Sequence, residues 1–210
     1  MTRSPARLER DQLCDLALAV GPDAPTLCGA WDVRHLMAHL LVRDRQPHNA
    51  VGIFARALAG RHDDAVDTTA RRDFATTVEA VRSARSPLAL PGVDTLANTI
   101  EYFVHHEDVR RRAGATWQPR TLPDSTVKAL WRALPVIGRV IVRDADVPVQ
   151  VRRSDTGTTL QLRRGENPVV LVGEVSEIVL YLYGRGAVAD VAFEGPDAHI
   201  TALKAADLGL

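Results

Sequence analysis

The chain has 210 residues, which is enough to bury a core and suggests one or two domains. Its 26 basic and 26 acidic residues cancel, and this balance removes the electrostatic attraction that a sequence-independent nucleic-acid binder or a polybasic membrane-surface protein needs. No apolar run reaches the roughly 18 residues of a membrane span, and the charged N-terminus lacks the apolar segment of a secretion signal, so we expect a cytoplasmic protein.

The first two thirds of the sequence have the pattern of helices separated by glycine and proline. Asp32 is well placed to cap the second of these helices, and Gly21 and Gly114 are typical helix terminators. The polar stretch GRHDDAVDTTAR (60–71) is predicted to be a loop. Four or five helices of about 12 to 20 residues, joined by loops, predict a bundle. The predicted helices cover residues 3–20, 33–46, 49–59, 73–85, 95–113 and 123–142.

The pattern changes near Asp146. Apolar and polar residues alternate in VPVQVRR and TTLQLRR, on either side of SDTGT, as is typical of a β-hairpin. Two more predicted strands, PVVLVG and VADVAFEG, alternate with two predicted helices, EVSEIVLYLYGR and PDAHITALKAADLG. We therefore predict an α+β protein, with a helical bundle over residues 1–145 and a small α+β domain over residues 146–210.

Two of the predicted helices carry residues at a spacing suited to metal binding. His35 and His39 lie four positions apart, as do Glu101 and His105, so that each pair shares a helix face. Asp108 lies within one further turn of the same strip. Imidazole and carboxylate together suit zinc or a similar divalent ion. Each pair is a weak signal alone, but a bundle can bring the two helices face to face.

The helical wheel favours His39 over His35 as the inward ligand. His39 lies at the edge of the apolar face of its helix, whereas His35 points nearly opposite it. The carboxylate of Glu101 has apolar neighbours, and burying it is costly unless a cation or hydrogen bonds compensate its charge. In the alternative interpretation, His39 is an ordinary half-buried histidine and Glu101–His105 is an ordinary helix pair.

The remaining reactive side chains are assigned structural roles. Cys28, near the start of the second helix, is better explained as a small core or loop residue than as a reactive thiol. The arginine runs 110–112 and 163–164 are typical of solvated surfaces. Four histidines lack partners at ligand spacing and are predicted to be structural or solvated: His48, His62, His106 and His199.

Three blocks of the sequence resemble one known family. The mycothiol-dependent maleylpyruvate isomerase family, part of the DinB-like metalloprotein superfamily, has a second-helix motif similar to TLCGAWDVRHLMAHLLVRDRQP. Its Glu-x-x-x-His helix is similar to NTIEYFVHHEDVRR, and the helix of its appended domain is similar to GEVSEIVLYLYGR. The resemblance implies an N-terminal DinB-like four-helix bundle that holds a divalent metal ion through His39, Glu101 and His105.

The resemblance also implies a thiol-dependent activity. Zinc, or alternatively nickel, would leave an open position for mycothiol or another low-molecular-weight thiol, and the enzyme would be an isomerase or S-transferase acting on a small electrophilic substrate. Asp108 is a candidate acceptor for an imidazole N–H, and Arg185 is a candidate partner for a substrate carboxylate. His35 stands where the family commonly has a small or acidic residue, so its participation in the site stays open.

A non-catalytic module is the competing hypothesis. In this case the bundle would hold a metal ion structurally, or none, and the α+β domain would bind an apolar ligand or a partner. Nothing in the sequence specifies an oligomeric seam, so a monomer and a homodimer are both compatible with it.

Overall fold

A computed structural model describes residues 3–45, 59–84 and 93–209 of the chain. The predicted helix over 49–59 and the side chains of His48 and His62 lie outside the described residues. Eight α-helices and four β-strands form within them, which confirms the α+β class. The elements are α1 (Pro5–Val20), α2 (Val33–Arg45), α3 (Ala59–Ala70), α4 (Phe74–Ser83), α5 (Val93–Arg110), α6 (Asp124–Ile141), β1 (Val149–Arg153), β2 (Thr159–Arg163), β3 (Val169–Gly173), α7 (Val175–Leu182), β4 (Ala192–Glu194) and α8 (Asp197–Ala205).

The packing divides the chain into two units, Met1–Trp117 and Gln118–Leu210. The predicted boundary near residue 145 lies further along the chain, because in sequence α6 looks like one more helix of the bundle. In the structure α6 packs on α7 and β2. Its Gly138 lies against Leu162 of β2, where an added Cβ would come within 3.0 Å of the leucine methyl carbons. The helix α6 therefore belongs with the sheet.

The N-terminal unit is the predicted four-helix bundle, made of α1, α2, α4 and α5. The side chain of Ser4 caps α1 by accepting the backbone N–H of Arg7, and Gly21 ends it in the left-handed region at φ 88°. The helix α1 packs on α4 and α5, and α2 packs on α4. The bundle core is apolar and fully buried, and includes Leu13, Leu36, Met37, Leu40, Val78, Val81 and Tyr102.

The prediction of a loop over residues 60–71 is wrong, because this stretch forms α3. Val66 and Ala70 lie four positions apart and are both buried against Ala38 and Val42 of α2. Such a narrow stripe of small apolar side chains is enough to hold a polar helix onto a neighbouring one. The surrounding Asp and Thr residues concealed this stripe in the sequence.

The C-terminal unit is built on a four-stranded sheet in the order β2-β1-β3-β4. The strands β1 and β2 form the predicted antiparallel hairpin, β1 and β3 are parallel, and β3 and β4 are antiparallel. Alternate residues such as Val149 and Val151 of β1 are fully buried. The helix α7 packs on β3, and all of its residues are buried.

None of the described helices combines the length and the apolar character that crossing a membrane requires.

Candidate metal centre

The candidate site is formed by α2, α5 and the loop that precedes α2. The hydroxyl of Thr26 ties this loop together, donating to the carbonyl of Trp31 at 2.6 Å and accepting the backbone N–H of Cys28 at 3.0 Å. The backbone N–H of Leu27 donates to the carbonyl of Asp108 at 3.2 Å, which fixes the loop against α5. The loop thus has a defined position beside the polar face of α5.

The structure brings together the three residues predicted as metal ligands. The Nε2 atom of His39 lies 3.3 Å from Oε1 of Glu101, and Nε2 of His105 lies 3.5 Å from the same oxygen. The two imidazole rings meet edge to face, with their centroids 5.3 Å apart. One ligand atom from each residue lies within 4.8 Å of the other two.

The spacing of these three atoms fits a divalent cation. In a tetrahedral zinc site with ordinary bond lengths, nitrogen and oxygen ligand atoms lie about 3.4 Å apart. The separations of 3.3 Å and 3.5 Å agree with that value and are longer than most N–H···O hydrogen bonds. Two imidazoles and one carboxylate are also a donor set that catalytic zinc uses, with a fourth position left open.

The second nitrogen of His105 faces Asp108, as the sequence analysis expected of an acceptor. His105 Nδ1 lies 2.9 Å from Oδ2 of Asp108, whose side chain is fully buried. A carboxylate acceptor at Nδ1 holds the ring so that its Nε2 faces Glu101 and His39.

Cys28 joins this cluster, which the sequence analysis did not expect. Its thiol donates to the same oxygen of Asp108 at 2.9 Å, and Sγ lies 3.6 Å from Nδ1 of His105. The thiol is therefore part of the polar cluster rather than a plain core or loop residue. The contact spans 80 positions of sequence, and the only available signal was its place in the TLCGAW block next to His39.

The charges at the site act strongly on one another. Burial raises the pKa of Glu101, but Arg43 and the hydrogen bonds from His105 and His39 outweigh it and hold that pKa well below its ordinary value. Burial lowers the pKa of His105, but its contacts with Asp108, Cys28 and Glu101 raise it well above the ordinary value. The site without a metal ion therefore favours an ionised Glu101 beside a protonated His105.

Arg43 contacts Glu101 and Trp31 contacts His39, and neither residue was predicted to belong to the site. The Nε atom of Arg43 lies 3.3 Å from Oε1 of Glu101, and its Nη1 donates to the Asn98 side chain at 2.8 Å. The ring of Trp31 lies against that of His39, with centroids 5.1 Å apart. The arginine offsets the glutamate charge, and the indole limits the access of water to the histidine.

Other predicted site residues lie elsewhere. His35 is paired with Asp32 through Nδ1 at 2.6 Å and belongs to neither group of ligand atoms. Arg185 follows α7 in the C-terminal unit, where its guanidinium donates to the carbonyl of Tyr183. The role proposed for it toward a substrate stays a prediction. Asp32 itself caps α2 as predicted, accepting the backbone N–H of His35 at 2.9 Å.

The remaining described histidines were predicted to be structural or solvated, and the arginine run 110–112 to be solvated. His106 is buried and pairs with Glu9 at 3.0 Å, and His199 contacts the carbonyl of Asn167 at 2.9 Å, which agrees with structural roles. The prediction of a solvated run at 110–112 is wrong for Arg111. Its side chain is only 1% exposed, pairs with Glu107 at 2.7 Å and lies over the ring of Trp117.

Comparisons with known proteins place the fold. No protein-family profile matches the chain, and no curated protein matches its sequence. The crystal structure of a mycothiol-dependent maleylpyruvate isomerase is similar to it, with a TM-score of 0.62 and 17% sequence identity over 90% of both chains. A variant of that isomerase with one histidine replaced by alanine is similar to the same extent, at 16% identity. The chain therefore has the fold of the mycothiol-dependent maleylpyruvate isomerase, and the resemblance found in its sequence blocks is confirmed at the level of the fold.

Proposed function

We propose that this protein is a divalent-metal-binding, thiol-dependent enzyme of the isomerase or S-transferase type, acting on a small electrophilic substrate. The observation that carries the proposal is the separation of 3.3 Å and 3.5 Å between Glu101 and the two histidine nitrogens, which matches a tetrahedral site. The fold supports the thiol, because the similar solved structures are described as mycothiol-dependent.

His39, Glu101 and His105 would hold the ion, with zinc as the first expectation and nickel as the alternative. When bound, a divalent ion with an open position lowers the pKa of a coordinating thiol and so supplies a thiolate nucleophile at neutral pH. A thiolate that adds to an electron-poor double bond leaves a single bond, which permits rotation before elimination and hence cis–trans isomerisation.

The residues around the metal ligands would have different roles. Asp108 accepts the Nδ1–H of His105 and so keeps Nε2 free to act as a ligand. Arg43 stabilises the ionised form of Glu101, the form that binds a cation. Trp31 shields one side of the His39 ring. We also propose that Arg185 binds a carboxylate of the substrate, since guanidinium matches carboxylate in a bidentate fashion.

Metal analysis of the purified protein tests the ligand assignment. We expect close to one divalent ion per chain in the wild type and its loss in His39→Ala and Glu101→Gln. His35→Ala is the matched control, because His35 lies one turn earlier on the same helix and is paired with Asp32 instead. We expect this control to retain the ion. Near-stoichiometric metal that persists in both ligand variants would exclude the assignment.

A turnover screen tests the reaction class. Mycothiol and other low-molecular-weight thiols would be combined with electrophilic cis-alkene diacids and with alkyl or epoxide acceptors. Turnover that needs both the thiol and the metal supports the proposal, whereas metal binding without turnover for any pair favours the non-catalytic module. We further propose that the protein acts in the reducing cytoplasm, as a monomer or homodimer, without a nucleic-acid or membrane partner.

A further inference from the structure

A second set of ligand atoms lies on the opposite side of the His105 ring. It consists of Sγ of Cys28, Nδ1 of His105 and Oδ2 of Asp108, each within 4.8 Å of the others. The first set uses Nε2 of the same ring, so the two sets share His105 but none of its atoms. A thiol, an imidazole and a carboxylate are together the ligand types of zinc, cobalt and cadmium sites.

We propose that Cys28, His105 and Asp108 form a second cation site, selective for a thiophilic divalent ion and placed back to back with the first across the His105 ring. The proposal rests on this cluster alone, and it holds whether or not the first site is catalytic.

One of the three distances between ligand atoms in this cluster already matches the value expected for a metal site. In a tetrahedral zinc site, a thiolate sulfur and an imidazole nitrogen lie about 3.6 Å apart. Cys28 Sγ and His105 Nδ1 are separated by 3.6 Å. The two edges to Asp108 are both 2.9 Å, which is hydrogen-bond length, and an ion at the centre would lengthen them by about 0.6 Å.

The ion would replace two protons of the cluster, one on Cys28 and one on His105. The Cys28 thiol donates to Oδ2 of Asp108, and Nδ1 of His105 contacts the same oxygen. A divalent ion that displaces the proton of Sγ and the proton of Nδ1 leaves the net charge of the cluster unchanged. Metal ions generally bind deprotonated cysteine and histidine, releasing protons in this way.

The loop that carries Cys28 is held in place and its thiol is reachable. The backbone N–H of Leu27 donates to the carbonyl of Asp108, and that of Cys28 donates to Thr26. Cys28 is partly exposed whereas Asp108 is fully buried, so an ion could enter from the thiol side and meet a desolvated carboxylate. Cys14 differs in each respect, since it is fully buried and its thiol contacts the carbonyl of Val78.

Sharing one imidazole couples the two sites. An ion on Nδ1 takes the place of the Asp108 hydrogen bond that orients His105 for the first site. Occupation of the second site by a thiophilic ion is therefore expected to change the affinity of the first, and the change must be reciprocal.

Titration of the metal-free protein with Co²⁺ or Cd²⁺ tests the proposal, with thiolate-to-metal charge-transfer absorption as the readout. We expect a band in the wild type that saturates with one thiolate-bound ion per chain. It should disappear in Cys28→Ser and persist in the matched control Cys14→Ala. Asp108→Asn should weaken the binding that produces the band by at least about 10-fold, since losing a carboxylate ligand should cost no less than losing a group that only orients one.

One further variant and one chemical label keep the test decisive. The band should persist in His39→Ala, so that failure of the first site leaves the second one measurable. If Cys28→Ser does not fold, a reversible disulfide label on Cys28 of the folded wild type should remove the band. A wild type that shows no band, or a band that survives loss or labelling of Cys28, would overturn the proposal.

Discussion

The two units of the chain bury different kinds of side chain. Beside its apolar core, the described part of the N-terminal unit buries seven charged residues, whereas within the described part of residues 118–210 the only charged residue that is buried is Glu177. Apart from Glu177, what the C-terminal unit buries is mainly apolar, namely most of α7 and alternate residues of β1 and β3. The buried charged residues of the N-terminal unit are Glu9, Arg10, Asp11, Asp44, Glu107, Asp108 and Arg111.

This contrast indicates that the two units are stabilised in different ways. A buried charge is costly unless it is paired and hydrogen-bonded. Asp44 satisfies this condition, since it accepts the hydroxyl of Tyr102 at 2.6 Å and faces Arg10 at 3.5 Å. The stability of the N-terminal unit should therefore depend on individual pairs, and that of the C-terminal unit on buried apolar area.

Loss of a buried pair should have the largest effect. Glu107 is fully buried and receives hydrogen bonds from Arg110 and Arg111 at 2.8 Å and 2.7 Å. We expect Glu107→Ala to lower the free energy of unfolding by about 3–5 kcal/mol, because it leaves Arg111 buried without this carboxylate. Urea unfolding followed by tryptophan fluorescence, in a Trp131→Phe background, reports on Trp31 and Trp117 of the N-terminal unit.

The control for this variant is a surface pair in the same unit. Glu79 forms an ion pair with Arg82 at 3.0 Å, and its side chain is 59% exposed. Glu79→Ala should cost about 0–1 kcal/mol. Equal losses for the two glutamates would contradict the view that buried pairs stabilise the N-terminal unit.

A buried thiol should make the same unit sensitive to alkaline pH. Burial raises the pKa of Cys14 from 9.0 to about 12. The folded state therefore keeps its proton between these values while the unfolded state loses it, so stability is complete below pH 9 and falls as the pH rises toward 12. The loss amounts to roughly 4 kcal/mol. Unfolding free energies from pH 8 to pH 11 should show about 2.7 kcal/mol of this loss, and in Cys14→Ala the decline should be shallower; an unchanged slope would refute the assignment.

The C-terminal unit should respond to the loss of apolar volume. Leu180 of α7 is fully buried, and Leu180→Ala should cost about 3 kcal/mol through lost burial and the cavity that remains. Val136 of α6 is the matched control, because 69% of it is exposed, and Val136→Ala should change stability by less than about 0.5 kcal/mol. Circular dichroism during urea unfolding distinguishes the two outcomes, and a cost below 1 kcal/mol for Leu180→Ala would refute the apolar account of this unit.

The same contrast explains which parts of the fold were predictable. The strands β1 and β3 of the C-terminal unit follow from alternation and from the turn residues that flank them, since buried and half-buried residues alternate along them. The helix α3 was missed because, among its described side chains, the buried apolar residues are Val66 and Ala70, with Ala65 half-buried beside them and polar residues around them. The assignment of α6 differed because helical periodicity identifies a helix but not its packing partner, which the contacts of α6 with α7 and β2 show, among them that of Gly138 with Leu162.

The site was predictable where its signal is local and not where it depends on distant partners. Glu101, His105 and Asp108 share one helix, and the face of α2 that carries His39 follows from its apolar neighbours. Contacts such as Cys28 with Asp108, 80 positions apart, leave no trace in spacing. Arg111 was misjudged for a different reason: its partners Glu107 and Trp117 are close in sequence, but a run of arginines does not show which of its members is buried.

The smallest effect expected concerns the start of α2. Asp32 accepts the backbone N–H of His35 at 2.9 Å and also holds its ring, so Asp32→Ala should cost about 1 kcal/mol as a lost helix cap. Asp32→Asn should restore most of this, since asparagine caps equally well. Asp73→Ala, at the corresponding cap of α4, should cost a similar amount. Metal content should be unchanged in all three variants, because the Asp32–His35 pair lies outside both groups of ligand atoms; loss of metal in Asp32→Ala alone would place His35 in the site.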